Sequence, residues 1–106
     1  MESTTKPLRV AIAGLGAIGK SLATRLTEGA VPGVVLTAVS AKNQDKAKEF
    51  VGTLAYPVKV LSISELEPEA DVVVECAPAE LLSDIVAPFL RAKKKAIVLS
   101  VGAILF

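Results

Sequence analysis

The run Gly14-Leu15-Gly16-Ala17-Ile18-Gly19 constrains this chain more than any other stretch of it. A Gly-x-Gly-x-x-Gly spacing carries information only when a strand leads into it and a helix leaves it. Both conditions are met. Leu8–Ala13 reads as an apolar strand, and residues 17–28 place Ile18, Leu22 and Leu26 at four-residue spacing on one helix face. Gly29 follows where a helix end favours a left-handed residue. In such a unit Gly14 permits the tight turn, Gly16 has no side chain to obstruct a pyrophosphate, and Gly19 lets the helix close on the strand. The helix N-terminus then offers free N–H groups and a positive dipole end to phosphate, with Leu15, Ala17 and Ile18 completing the loop. A glycine turn that merely joins strand to helix is the plain alternative.

The rest of the chain repeats the alternation. A second strand is expected at Val34–Ser40, and a short helix at Gln44–Val51 behind Asn43, a good N-cap. Strand three is expected at 58–61 after Pro57. Ser64-Glu65-Leu66-Glu67 has capping-box spacing, but Pro68 follows at once, so a single helical turn is expected there. Strand four, 71–76, carries three consecutive valines, which favour β structure. A third helix should start near Pro78, a residue suited to the first helical position. One of its rows is Leu81, Ile85 and Phe89, the row beside it is Leu82, Val86 and Leu90, and Pro88 should kink it. Strand five is expected at 96–100. The order β-α-β-α-β-turn-β-α-β is that of an α/β, Rossmann-type, doubly wound parallel sheet, spatial order 3-2-1-4-5, forming the first half of such a fold.

Composition agrees with this class. A 52% hydrophobic content with 22% charged residues is rich for 106 residues, as expected of parallel strands covered on both faces. Residues 1–106 are read as one dinucleotide-binding domain. A net charge of +1 gives no case for a nucleic-acid partner. The apolar runs fall well short of the roughly 20 residues a membrane span needs. No secretory pattern opens the chain, and the single cysteine suits a reducing cytoplasm. There is no histidine, which removes the commonest general base and the commonest zinc ligand together. No catalytic residue and no metal ligand are therefore assigned within these residues. The apolar stretch 101–106 directly after a core strand reads as the edge of a fragment that lacks its second, catalytic domain.

Two places besides the glycine loop fit a dinucleotide. A domain selective for NAD carries an acid at the end of strand two, on the ribose hydroxyls. Here that end is Val39-Ser40-Ala41-Lys42-Asn43, with no acid until Asp45. Ser40 can hydrogen-bond a 2′-phosphate and Lys42 can offset its charge, so NADP is allowed beside NAD. As plain residues, Ser40 is a turn residue and Lys42 a solvated lysine. The second place is Glu75-Cys76-Ala77-Pro78-Ala79, at the end of strand four. Small residues there let a cofactor pass close to the backbone, although Pro78 also simply starts a helix. Glu75 reads as a strand-end carboxylate of the solvated kind or as one that orients nearby loops. Cys76 reads as a small buried residue. Lys93-Lys94-Lys95 suits a helix C-terminus and is given no partner.

The glycine run at 14–19, then Asp71-Val72-Val73-Val74-Glu75-Cys76-Ala77, then Val98-Leu99-Ser100-Val101-Gly102-Ala103 together resemble the N-terminal domain of L-aspartate dehydrogenases. The similarity runs from Leu8 to Ile104, and the Ser-Val-Gly-Ala stretch is its more specific element. The resemblance implies NAD(P)-dependent deamination of L-aspartate to iminoaspartate, or amination of oxaloacetate, in NAD biosynthesis. It places Ala77, Pro78, Ser100, Val101 and Gly102 in the cofactor crevice on the nicotinamide side. It also implies a catalytic histidine in a later domain and a homo-oligomer at full length. Dihydrodipicolinate reductases and homoserine dehydrogenases would share fold and coenzyme but bring a different substrate domain, and a free-standing module that senses the dinucleotide without catalysis is the reading from another class.

Overall fold

The computed structural model describes residues 6–100. They form β1 (Leu8–Ala13), α1 (Ala17–Thr27), β2 (Val34–Ser40), α2 (Gln44–Val51), β3 (Lys59–Val60), β4 (Val72–Glu75), α3 (Leu82–Arg91) and β5 (Lys95–Val98). The strands make one parallel sheet of order β3-β2-β1-β4-β5, the doubly wound order expected from the sequence.

Alternation along the strands decides which helix covers which face. Val10, Ile12, Val72 and Val74 point to one side, where Ala23 and Leu26 of α1 close over them with Phe50 and Val51 of α2. Ala11, Ala13, Ala38 and Val73 point to the other, where the small alanines leave room for Ile85 and Phe89 of α3. Thr37 interrupts the alternation, because Val10 pairs with Leu36 while Ala11 pairs with Ala38. It is the extra residue of a bulge. Its hydroxyl lies 3.2 Å from the Val10 carbonyl and 2.8 Å from that of Glu69. The bulge explains how Leu36 and Val39, three residues apart, reach the same core.

Several boundaries and faces differ from the sequence reading. Ile18 is 65% exposed, since the face of α1 that meets the sheet is Gly19, Ala23, Leu26 and Thr27. A helix turns about 100° per residue, so contact through Gly19 aims Ile18 outward. The third helix begins at Leu82, behind a 3-10 turn at Ala79–Leu81, with Pro78 extended ahead of that turn instead of first in the helix. Pro88 lies inside α3, which runs on to Arg91. The capping box is made two residues earlier than expected: Glu65 Oε1 accepts from the Ser62 N–H at 2.9 Å. Two short 3-10 turns follow, Ile63–Glu65 and Glu67–Glu69. Strands three to five are each shorter than expected, because only these residues complete a ladder with a neighbour. Lys94 does have a partner, the Glu67 carboxylate at 2.7 Å.

Gly29 adopts φ +85°, as a helix end of this kind requires, and Asn43 caps α2 by accepting from the Lys46 N–H at 3.0 Å. At the N-terminal edge of the sheet Arg9 of β1 meets Asp71, just before β4, with a guanidinium–carboxylate distance of 3.0 Å. Among the described residues no helix is long and apolar enough to cross a membrane, and no group of acidic, cysteine or histidine side chains is placed to hold a metal.

Candidate functional site: a crevice at the carboxyl ends of the strands

β1 is the point where the winding reverses, with β2 on one side and β4 on the other. In open α/β sheets the crevice beyond such a point is where ligands sit. Here it is a cavity of about 770 Å³ lined by the turns after β1, β2 and β4.

The turn after β1 is its floor, and the three glycines have three different surroundings. Gly14 has φ +105°, and a Cβ there would lie 2.6 Å from the Cys76 carbonyl oxygen. Gly19 is buried against the Gly14 carbonyl, and a Cβ would overlap it. At Gly16, the N-cap of α1, a Cβ would meet nothing within 4 Å. Two glycines therefore let the backbone pack, and the third leaves space. No side chain caps α1 and no acid sits in its first turn, so the positive end of its dipole is left for an anion from outside.

The β2 side of the crevice carries Ser40, Lys42, Asn43 and Lys46, with Lys20 reaching in from α1. Ser40 is only 4% exposed, and its carbonyl accepts from the Gly14 N–H at 2.7 Å. Three lysines against Glu80, the one acid on the lining, make the cavity electropositive. Lys20 also lies 5.8 Å from the centre of the Phe50 ring.

The opposite wall is Cys76, Ala77 and Pro78, backed by Leu81 and Ile85. What holds it is Glu75, whose side chain is fully buried. Its Oε2 accepts from the Ala77 N–H and its Oε1 from the Ser100 N–H, both at 3.0 Å. The solvated strand-end carboxylate considered from the sequence is thus a buried tie between the loop after β4 and the chain leaving β5. Cys76 is half-buried on the crevice wall, and burial first, the Glu75 charge second, push its thiol up. It stays a neutral thiol near neutral pH.

Of the residues singled out from the sequence, Gly14, Leu15, Gly16, Ser40, Lys42, Ala77 and Pro78 line the crevice together. Ala17 and Ile18 face solvent and Gly19 lies beneath the turn. Ser100 is tied to Glu75, with its hydroxyl buried and without a hydrogen-bond partner among the described residues. Val101 and Gly102 lie outside the described residues. The sequence reading missed Lys20 and Lys46, four residues from Gly16 and Lys42 respectively. Helical spacing from the glycine motif would have found Lys20. It also missed the burial of Glu75, signalled only by a charge closing a run of three valines that the sheet covers on both faces.

Comparison with known proteins agrees with this fold. Residues 14–105 match the family model described as the homoserine dehydrogenase NAD binding domain. L-aspartate dehydrogenase 3 of Bordetella bronchiseptica is 52% identical over 97% of this chain and 38% of its own length. L-aspartate dehydrogenase of Bradyrhizobium diazoefficiens is 43% identical over 98% of this chain and 36% of its own. This chain thus spans little more than a third of those relatives. Scyllo-inositol dehydrogenase from Lactobacillus casei, solved with NAD(H) and scyllo-inositol, superposes with a TM-score of 0.74 over 88% of this chain and 28% of its own, at 19% identity. That likeness is one of fold.

Proposed function

The chain belongs to the homoserine dehydrogenase NAD-binding-domain family, and from that premise we propose that it is the dinucleotide-binding part of an NAD(P)-dependent L-aspartate dehydrogenase. The observation that carries the reading is Gly16: an open Cα at an uncapped helix N-terminus, on the floor of an electropositive crevice. The pyrophosphate sits over that turn, from Gly14 through Leu15, Gly16, Ala17 and Ile18 to Gly19. The adenosine ribose lies toward Ser40 and Lys42. The nicotinamide lies toward Ala77, Pro78 and Ser100, the side to which the resemblance also assigns Val101 and Gly102. Bound there, the nicotinamide supplies a hydride acceptor.

The residues of this chain bind and orient the coenzyme, and the small alanine and proline of the β4 wall let it approach the main chain. They include no histidine, and burial keeps the Cys76 thiol raised, so the reading assigns the proton transfer to other residues. The groups that hold L-aspartate and take its proton belong to the remaining length that the relatives possess. A cytoplasmic location and a homo-oligomeric holoenzyme go with this reading. To test it, the gene product at full length is assayed for coenzyme reduction with L-aspartate, L-homoserine and scyllo-inositol in parallel. L-Aspartate should be the preferred substrate. Preference for L-homoserine would move the protein to another branch of its family. Residues 1–106 alone should bind coenzyme without aspartate turnover, and turnover by them alone would overturn the assignment of the chemistry to other residues.

A further inference from the structure

Glu75 closes β4 with its side chain fully buried, yet no lysine or arginine among the described residues pairs with it. Main-chain N–H groups solvate it instead, one on each oxygen. A protonated carboxyl would need an acceptor for its O–H, and none is paired with it among the described residues. Both Glu75 oxygens thus accept, the pattern of a carboxylate, and its partners among the described residues are main-chain dipoles.

Such a charge acts at longer range than a surface one, because little water or salt screens it. It borders the crevice, since Cys76 and Ala77, the next two residues, line the wall and the Ala77 N–H is tied to its Oε2. Of the two ends of a dinucleotide, the one near Glu75 is fixed by topology. Ribose recognition belongs to the end of β2, so the other half passes Ala77 and Pro78, in the loop tied to Glu75. That half carries the nicotinamide, whose ring is a cation when oxidised and neutral when reduced.

We propose that Glu75 sets the redox preference of the site, stabilising the oxidised, cationic coenzyme relative to the reduced one. The inference rests on the dinucleotide reading above. Its two backbone ties mean that Glu75 also positions the wall. The two roles separate experimentally.

In the full-length protein, the affinities of NAD+ and NADH (or their 2′-phosphorylated forms) are measured by titration for wild type, Glu75→Gln and Glu75→Asp. Glutamine removes the charge at constant length. The ratio of oxidised to reduced affinity should fall at least about fivefold, roughly 1 kcal/mol. Aspartate keeps the charge but shortens the reach to Ala77 and Ser100. Both affinities should drop, with the ratio close to wild type. If the glutamine amide, set against a backbone N–H, prevents folding, Glu75→Met takes its place with the same expected fall. Neutral variants that weaken both forms equally, leaving the ratio unchanged, would reduce Glu75 to a tie and overturn the proposal. A collapse of the ratio in the aspartate variant would do the same. Wild-type protein that binds neither form refutes the dinucleotide reading itself, a separate outcome.

Discussion

The turn after β1 is held by main chain alone, whereas the wall after β4 hangs on one buried side chain. In the first, Gly14 and Gly19 press backbone against backbone, and Gly16 leaves its space empty. In the second, a carboxylate gathers N–H groups from residues 77 and 100, which are 23 positions apart in sequence. A surface made by absent side chains can be widened only by breaking the packing beneath it. A surface hung on one side chain can be re-tuned by changing that residue, and its electrostatics change with it.

The largest expected effect is therefore at the packed glycines. Gly19→Ala sets a methyl into the Gly14 carbonyl, and with backbone on both sides the overpacking should cost about 3 kcal/mol. Urea denaturation measures it, and wild-type stability in this variant would mean that α1 does not bear on the turn as described. Next comes Glu75→Ala, which leaves two N–H groups without their acceptor in a buried place. A loss of about 2 kcal/mol is expected. An unchanged midpoint would show the two walls to be built alike.

The β2 side should respond chiefly in binding, with some cost in stability because Ser40 is buried and the aspartate that replaces it is partly desolvated. Ser40→Asp offers two acceptors to a ribose diol and repels a 2′-phosphate. The NAD over NADP affinity ratio should rise about tenfold, or ~1.4 kcal/mol. A ratio that does not move would take Ser40 away from the ribose.

The smallest effect is expected far from the crevice, at the N-terminal edge of the sheet. Arg9 beside Asp71 holds its carboxyl below the usual carboxylate range, chiefly through the hydrogen bonds between them. A carboxyl depressed in the folded state stabilises above its unfolded pKa and loses that contribution as pH falls through the folded value. The pair is well exposed, so its worth is that of a surface ion pair. Asp71→Asn should lower the melting temperature slightly at neutral pH, and the difference should shrink on acidification. A difference that persists in acid would assign the effect to something other than this charge.

Much of this organisation is legible in the sequence because it is local. The glycine turn, the strand preceding it and the N-cap Asn43 are each specified within a few residues. The sheet order follows from the alternation of elements and the handedness of crossovers. What could not be read depends on partners distant in sequence. Glu75 meets Ser100 only because β4 and β5 pair in register, with Glu75 opposite Val98. Ile18 fits an apolar helix row on paper, and only the close contact of Gly19 turns it outward. The capping box shifted from Ser64 to Ser62 because the turn forms where Ser62 and Glu65 can each reach the other's groups.

The central claim is that the open space at Gly16 is where a dinucleotide pyrophosphate lies, and Gly16→Val tests it most directly. Nothing within 4 Å of a Cβ at that position opposes a side chain, and the residue is extended, with φ −75° and ψ −165°. The variant should fold as the wild type does, with unfolding within about 0.5 kcal/mol of it. Calorimetric titration with NAD+ and NADP+ should then show affinity lowered by about a hundredfold or more, roughly 2.7 kcal/mol. A folded Gly16→Val protein that binds either coenzyme as tightly as wild type would contradict the account.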